Sequence, residues 1–127
     1  MKLNKLFYIS LVIITILFTT TFTGMAANQL QVHFIDVGQG DAILIKMPNE
    51  EVMLIDAGNN GEGDDVVNYL RSQGIDTIDY LVGTHPHADH IGGLDDVIKS
   101  FKIGSIYMPR KTHTTKTYQE VLLAIQD

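Results

Sequence analysis

Between Thr84 and Gly93 the sequence reads THPHADHIGG, which places His85, His87, Asp89 and His90 within six positions. Imidazole is a ligand for zinc and other borderline divalent ions, and carboxylate suits harder ones. Side chains at i and i+2 of an extended stretch point the same way, so His85 and His87 can hold one ion together. Asp89 and His90 are adjacent where the chain turns towards a helix, and they can aim at a second ion nearby. Two ions about 3.5–4 Å apart make a hydrolytic centre. Zinc lowers the pKa of a bound water to about 7, which supplies a nucleophile at neutral pH. Gly92 and Gly93 let the backbone pass close beneath. A loop of solvated histidines is the plain alternative. A His-x-His-x-Asp-His frame at the end of an apolar strand favours metal binding instead.

The cluster needs elements to carry it. LQVHFIDVG alternates, with Leu30, Val32 and Phe34 on one side and Gln31 and His33 on the other, as in a strand with one buried face. DAILIKM follows the short Gly38-Gln39-Gly40 turn, so a hairpin is expected. Pro48 and Asn49 lead a second turn into VMLIDAG, a strand that is almost all apolar up to Asp56 and so lies deep in a sheet. Asp64 is placed to cap a helix through DVVNYLRSQ, with Val66, Val67 and Leu70 inward and Gly74 as its stop. IDYLVGT is a fourth strand ending at the histidines. LDDVIKSF is a second helix, with Leu94, Val97, Ile98 and Phe101 at helical spacing. IGSIYMP is a fifth strand. Thr117 and Glu120 have the spacing of a capping box, opening a third helix whose inner stripe is Tyr118, Val121, Leu122 and Ile125.

The order of these elements matters for chemistry. If the first strand runs up, the second runs down and the third runs up to Asp56. A helical crossover then makes the fourth strand parallel to the third. DVGQGD, DAGNN and HPHADH therefore meet at one edge, at the carboxyl ends of strands where α/β sheets gather their sites. Asp36, Gln39, Asp41, Asp56 and Thr84 are expected on the rim of the site or just behind it. Asp89 and Asp56 are the carboxylates expected to serve catalysis.

The chain has 127 residues, no cysteine and a net charge of −6. Without cysteine, thiolate metal sites and cysteine nucleophiles are excluded. Lys2 and Lys5 precede an apolar run from Leu6 to Phe22 and then small residues, the layout of a secretory signal ending at Ala26. An uncleaved membrane anchor through residues 6–22 is the alternative. Either reading puts residues 27–127 outside the cytoplasm, secreted or held on the outer face of the membrane. Removing residues 1–26 takes away Lys2 and Lys5 and no acid, which leaves −8. That balance argues against indiscriminate coating of nucleic acid. Residues 99–116 nonetheless carry Lys99, Lys102, Arg110, Lys111 and Lys116 with no acid. This strip is either a solvated surface or a phosphate-facing one, which makes Lys99, Lys102, Arg110 and Lys111 candidate substrate contacts.

His85-x-His87-x-Asp89-His90 resembles the signature of the metallo-β-lactamase superfamily. FIDVGQGDAILI, LIDAG and THPHADHIGGL together are similar to the ComEC-like secreted branch of that superfamily, over about residues 30–109. The resemblance implies an α/β (α+β) chain forming the first half of an αββα sandwich, a mixed sheet with flanking helices. It implies two divalent ions, zinc or manganese, with His85 and His87 on one and Asp89 and His90 on the other. It also implies further ligands, a histidine, a bridging aspartate and a final histidine, well downstream. His113 lies only 23 residues after His90 in a polar loop and is not expected among them. The last helix reaches Asp127 without a stop signal, so the chain is expected to be the N-terminal part of a longer domain whose sheet lacks its packing partner. Weak or no catalysis is expected of this part alone. Three readings stay open. One is an exported phosphodiesterase or nuclease-like hydrolase acting on a small-molecule or nucleic-acid phosphodiester. The others are a superfamily hydrolase of lactams, lactones or thioesters, and a non-catalytic exported module.

Overall fold

A computed structural model describes residues 28–126, together with the single positions Asn4 and Phe7. The expected leader and its apolar run otherwise lie outside the described residues. Among the described residues no helix is long and apolar enough to cross a membrane.

Five strands form one mixed sheet in sequential order: β1 (Gln31–Phe34), β2 (Ile43–Lys46), β3 (Val52–Ile55), β4 (Thr77–Val82) and β5 (Lys102–Tyr107). β1, β2 and β3 pair antiparallel through short connections. β3, β4 and β5 pair parallel, because helices carry the chain back between them. These are α1 (Gly63–Ser72) before β4, and α2 (Ala88–Ile91) and α3 (Leu94–Ser100) before β5; α4 (Lys116–Gln126) follows.

Register sorts the side chains into rows. His33, Leu44, Leu54, Leu81 and Ile106 are cross-strand neighbours. Leu44, Leu54 and Leu81 in that row are fully buried, with Val66 and Leu70 of α1, Ile91 of α2, Leu94 and Val97 of α3 and Val121 of α4 in the same core. Each such leucine stabilises the fold by roughly 1.5–3 kcal/mol relative to exposure. The helices thus cover one face. The adjacent row, Phe34, Ile43, Ile55, Val82 and Tyr107, points the other way, and Phe34 and Tyr107 remain 79% and 53% exposed.

Four local expectations change. In β1 the covered side is that of His33, while Leu30, Val32 and Phe34 face outward. Alternation shows that a strand has two faces, but the leucines of β2 and β3 decide which face the helices take. His33 Nδ1 meets the Tyr69 hydroxyl of α1 at 2.9 Å, which satisfies both inside. The β1–β2 connection is residues 35–42 and not the glycine pair alone, closed by Ile35 N–H donating to the Ala42 carbonyl at 2.9 Å. The cap position of α1 is Glu62 rather than Asp64; its carboxylate instead accepts from Asn59 N–H at 3.2 Å, which tightens the preceding loop. Gly74 does end that helix, in the left-handed conformation. On α4 the capping hydroxyl is Thr115, which accepts from Tyr118 N–H at 3.4 Å. Thr117 is turned inward, and Thr117, Val121 and Ala124 form the buried stripe while Leu122 and Ile125 stay partly exposed. The helix is rolled because Thr117 has a partner across the molecule, the side chain of Asn60.

Candidate metal centre

β3 and β4 are parallel, so their carboxyl ends lie side by side and deliver Asp56 and Thr84 to one spot. Asp56 N–H donates to the Val82 carbonyl at 2.8 Å, and Asp56 takes a left-handed φ of 58°. Its side chain is 1% exposed. Oδ1 accepts from Thr84 N–H at 2.8 Å. Oδ2 accepts from the Thr84 hydroxyl at 2.5 Å and from His90 Nδ1 at 2.9 Å. These bonds fix two imidazoles. A carboxylate only accepts, so His90 carries its hydrogen on Nδ1 and presents a bare Nε2. The Thr84 hydroxyl spends its own hydrogen on Asp56, so at 3.1 Å it accepts from His85 Nδ1, and His85 Nε2 is bare too. Neutral imidazole with its second nitrogen held in this way is the form that ligates a metal.

The rest of the cluster closes around these two rings. His87 is the cap of α2 and lies edge-on to His85, with ring centroids 4.9 Å apart. The rings of His85 and His90 are 3.8 Å apart. The donor atoms of His85, His87 and Asp89 all lie within 4.8 Å of one another, and a second such group is Asp41, Asp56 and His90. Asp89 Oδ2 is also 3.8 Å from His90 Nε2, so this carboxylate stands between the two groups. The sequence pairs Asp89 with His90 alone. The folded chain also brings it to His85 and His87. Asp56 sits in the second group by distance, but both its oxygens are already engaged. It therefore positions His90 and Thr84, and it is too buried to touch substrate as a catalytic group. The donors present, imidazole nitrogens and carboxylate oxygens within 4.8 Å of one another, fit divalent metal.

The rim is built from loops. The 35–42 connection is tied to the cluster by Asp41 N–H donating to the Asp89 carbonyl at 3.2 Å and by Gly58 N–H donating to the Asp41 carbonyl at 2.9 Å. Asp41 Oδ2 is 3.6 Å from His90 Nδ1. Asp36 turns back on its own loop, accepting from Gly38 N–H at 3.1 Å, and Gln39 is exposed there. Gly92 and Gly93 lie under the site as expected: a Cβ on Gly92 would come within 2.2 Å of Asn60 N.

The basic strip is not one surface. β5 runs parallel to β4, so Lys102, beside Thr77, is at the far end of the sheet from Thr84. Lys99 is at that end too, paired with Asp95 at 2.6 Å. Arg110 and Lys111 follow the carboxyl end of β5 and are exposed near the site's edge. His113, given no part by spacing alone, comes to the cluster: its ring centroid is 5.9 Å from that of His87. The reciprocal Asn60–Thr117 bonds, which hold α4 against the loop after β3, also carried no sequence signal.

ComE operon protein 3 of Bacillus subtilis (strain 168) is 25% identical over 130 residues, covering 89% of this chain and 17% of that protein. Ribonuclease J of Synechocystis sp. is 38% identical over 71 residues, covering 49% of this chain and 11% of that protein. A crystal structure described as a new diphosphatase from the PhnP family aligns over 68% of this chain and 32% of its own, at 27% identity and a TM-score of 0.42. The chain thus spans a minor part of each of these proteins. A sequence model of the metallo-beta-lactamase superfamily matches residues 35–125, the span that holds every donor of the cluster. The chain belongs to the metallo-beta-lactamase superfamily.

Proposed function

We propose that the protein carrying this chain is an exported hydrolase that uses two divalent metal ions, zinc or manganese, to cleave phosphodiester bonds, as a phosphodiesterase or nuclease. The observation that carries the reading is the two neighbouring donor groups, with Asp89 Oδ2 of one lying 3.8 Å from His90 Nε2 of the other, and with His85 and His90 each held with a bare Nε2 by the Thr84–Asp56 network. Ions bound there supply charge neutralisation at a phosphoryl group and a water of lowered pKa. The chain's own part is to hold the ligands. Asp56 keeps His90 in one tautomer and one orientation, and Thr84 does the same for His85. Asp41 borders His90 on its Nδ1 side, where its carboxylate adds negative charge behind that ring. The stretch similar to Ribonuclease J supports a phosphodiester substrate. The lysine-flanked apolar run of residues 1–26 supports export.

The test is hydrolysis of bis(p-nitrophenyl) phosphate and of single-stranded oligonucleotides by the full-length protein with zinc or manganese, beside a lactam and a lactone. Wild type is expected to cleave the phosphodiesters, and His87→Ala to lose that activity. Equal rates for wild type and His87→Ala, or turnover of the lactam or lactone alone, overturn the reading. Export is checked by fractionating the producing cells. A product found only in the cytoplasm overturns that part.

A further inference from the structure

The connection between β5 and α4 brings a group to the cluster that the two donor sets do not use. His113 is half-buried, edge-on to His87 with ring centroids 5.9 Å apart. Its Nδ1 lies 3.1 Å from the Thr115 hydroxyl. That hydroxyl accepts from Tyr118 N–H as the cap of α4, which leaves its own hydrogen to donate. It can donate to His113 Nδ1, and in that tautomer the ring's hydrogen is on Nε2. This is the reverse of His85 and His90. Those rings have a bare Nε2 fit for a metal, whereas His113 in this tautomer offers an N–H donor, and an N–H nitrogen has no lone pair for an ion. Nε2 has no hydrogen-bond partner among the described residues.

The start of α4 just beyond His113 is anchored. Thr117, two residues beyond Thr115, is locked to Asn60 by bonds of 3.0 Å in both directions, and Asn60 belongs to the loop that follows Asp56. Arg110 and Lys111 precede His113 on the same connection. Both are exposed, and neither side chain has an ion-pair or hydrogen-bond partner among the described residues. The other cations of the strip near α3 and α4 are already spent, Lys99 on Asp95 and Lys116 on Glu120. An imidazole ring beside the candidate metal cluster, with unpaired positive charge next to it in the chain, matches an anion that reaches past the metals.

We propose that His113 is a substrate-binding residue of this centre, whose Nε2–H donates to a non-bridging oxygen of the phosphodiester while Arg110 and Lys111 supply its electrostatic attraction. The assignment rests on the phosphodiesterase reading above. It is tested on the full-length protein loaded with manganese, using bis(p-nitrophenyl) phosphate as substrate, inorganic phosphate as competitor and chelator competition for metal affinity. His113→Ala is expected to raise KM and the inhibition constant of phosphate by about tenfold or more, as for a lost hydrogen bond to a charged group. kcat and metal affinity are expected to stay close to wild type. His113→Gln, which keeps an N–H donor, is expected to recover part of the loss. Arg110→Ala with Lys111→Ala is expected to raise KM most at low salt. A tenfold fall in metal affinity in His113→Ala makes it a ligand and overturns the proposal. So does an unchanged KM in a variant of an active wild type, which leaves the phosphodiesterase reading standing. If wild type cleaves no phosphodiester at all, that reading fails first and this one with it.

Discussion

Asp56 and His90, separated by 34 residues, are joined by a 2.9 Å hydrogen bond between Oδ2 and Nδ1 at the buried floor of the metal cluster. The bond decides which nitrogen of His90 is left free to ligate a metal. Asparagine tolerates the left-handed backbone found at position 56, so Asp56→Asn changes the acceptor without breaking the turn. Loss of such a supporting partner costs 10–100-fold in metal affinity. Chelator competition on Asp56→Asn should show a fall of about that size with folding retained by circular dichroism. Unchanged affinity would mean that His90 is oriented by something else.

Gly40 supports the same cluster from the opposite side. Its φ is 131°, and a Cβ there would come within 2.1 Å of the Asp89 carbonyl oxygen. Gly61 has a φ of 90° with nothing within 4 Å of a Cβ, so it carries the backbone strain alone. Gly40→Ala should therefore destabilise more than Gly61→Ala, by about 1–3 kcal/mol for the displaced backbone. It should also weaken metal binding, because Asp89 must shift. Equal unfolding midpoints for the two variants would show that the loop moves aside freely.

The part of this fold that the sequence declares is the part written in short-range pattern. Apolar runs and turn residues locate all five strands and the helices between them, and the parallel pairing of β3 with β4 follows from the crossover between them. The histidine frame announces its chemistry because His85, His87, Asp89 and His90 are close in sequence. What stays hidden depends on contacts across the chain. Which face of β1 is covered is fixed by Leu44 and Leu54 in the neighbouring strands. The roll of α4 is fixed by Asn60, a polar residue that pattern reading leaves in a loop. His113 is 26 residues from His87, and only the return of the chain along β5 brings their rings together.

Asp96, in the first turn of α3, should make stability depend on pH. Burial raises its carboxyl above the ordinary value of 3.8, and the charge of Asp95 adds to this. The folded protein then holds this proton more tightly than the unfolded chain does. Its contribution therefore favours folding increasingly as pH falls through the raised value, and costs stability once pH is above it. Asp96→Asn removes that cost at pH 7 and should stabilise by a few tenths of a kcal/mol, the scale of a relieved like-charge contact. The gain should shrink in acid. Urea titrations of both proteins at neutral and acidic pH check this, and a gain that does not change with pH would count against it.

The outward row of the sheet sets how the described region behaves by itself. Phe34, Ile43, Ile55, Val82 and Tyr107 lie side by side across all five strands, and Phe34 and Tyr107 at its two ends are 79% and 53% exposed. An apolar row open to water on one face of a sheet favours association. β1 also ends the sheet, so its free backbone edge adds a second route to association. Residues 28–126 expressed alone should therefore self-associate and bind an apolar dye. Phe34→Lys with Tyr107→Lys places charge at both ends of the row, and lysine on β1 also opposes edge pairing. The double variant should sediment as a smaller species with less dye bound, while its far-ultraviolet circular dichroism stays that of the parent, because neither residue contacts the helix-covered core. A parent that sediments as a monomer without binding dye would show that the row is shielded some other way.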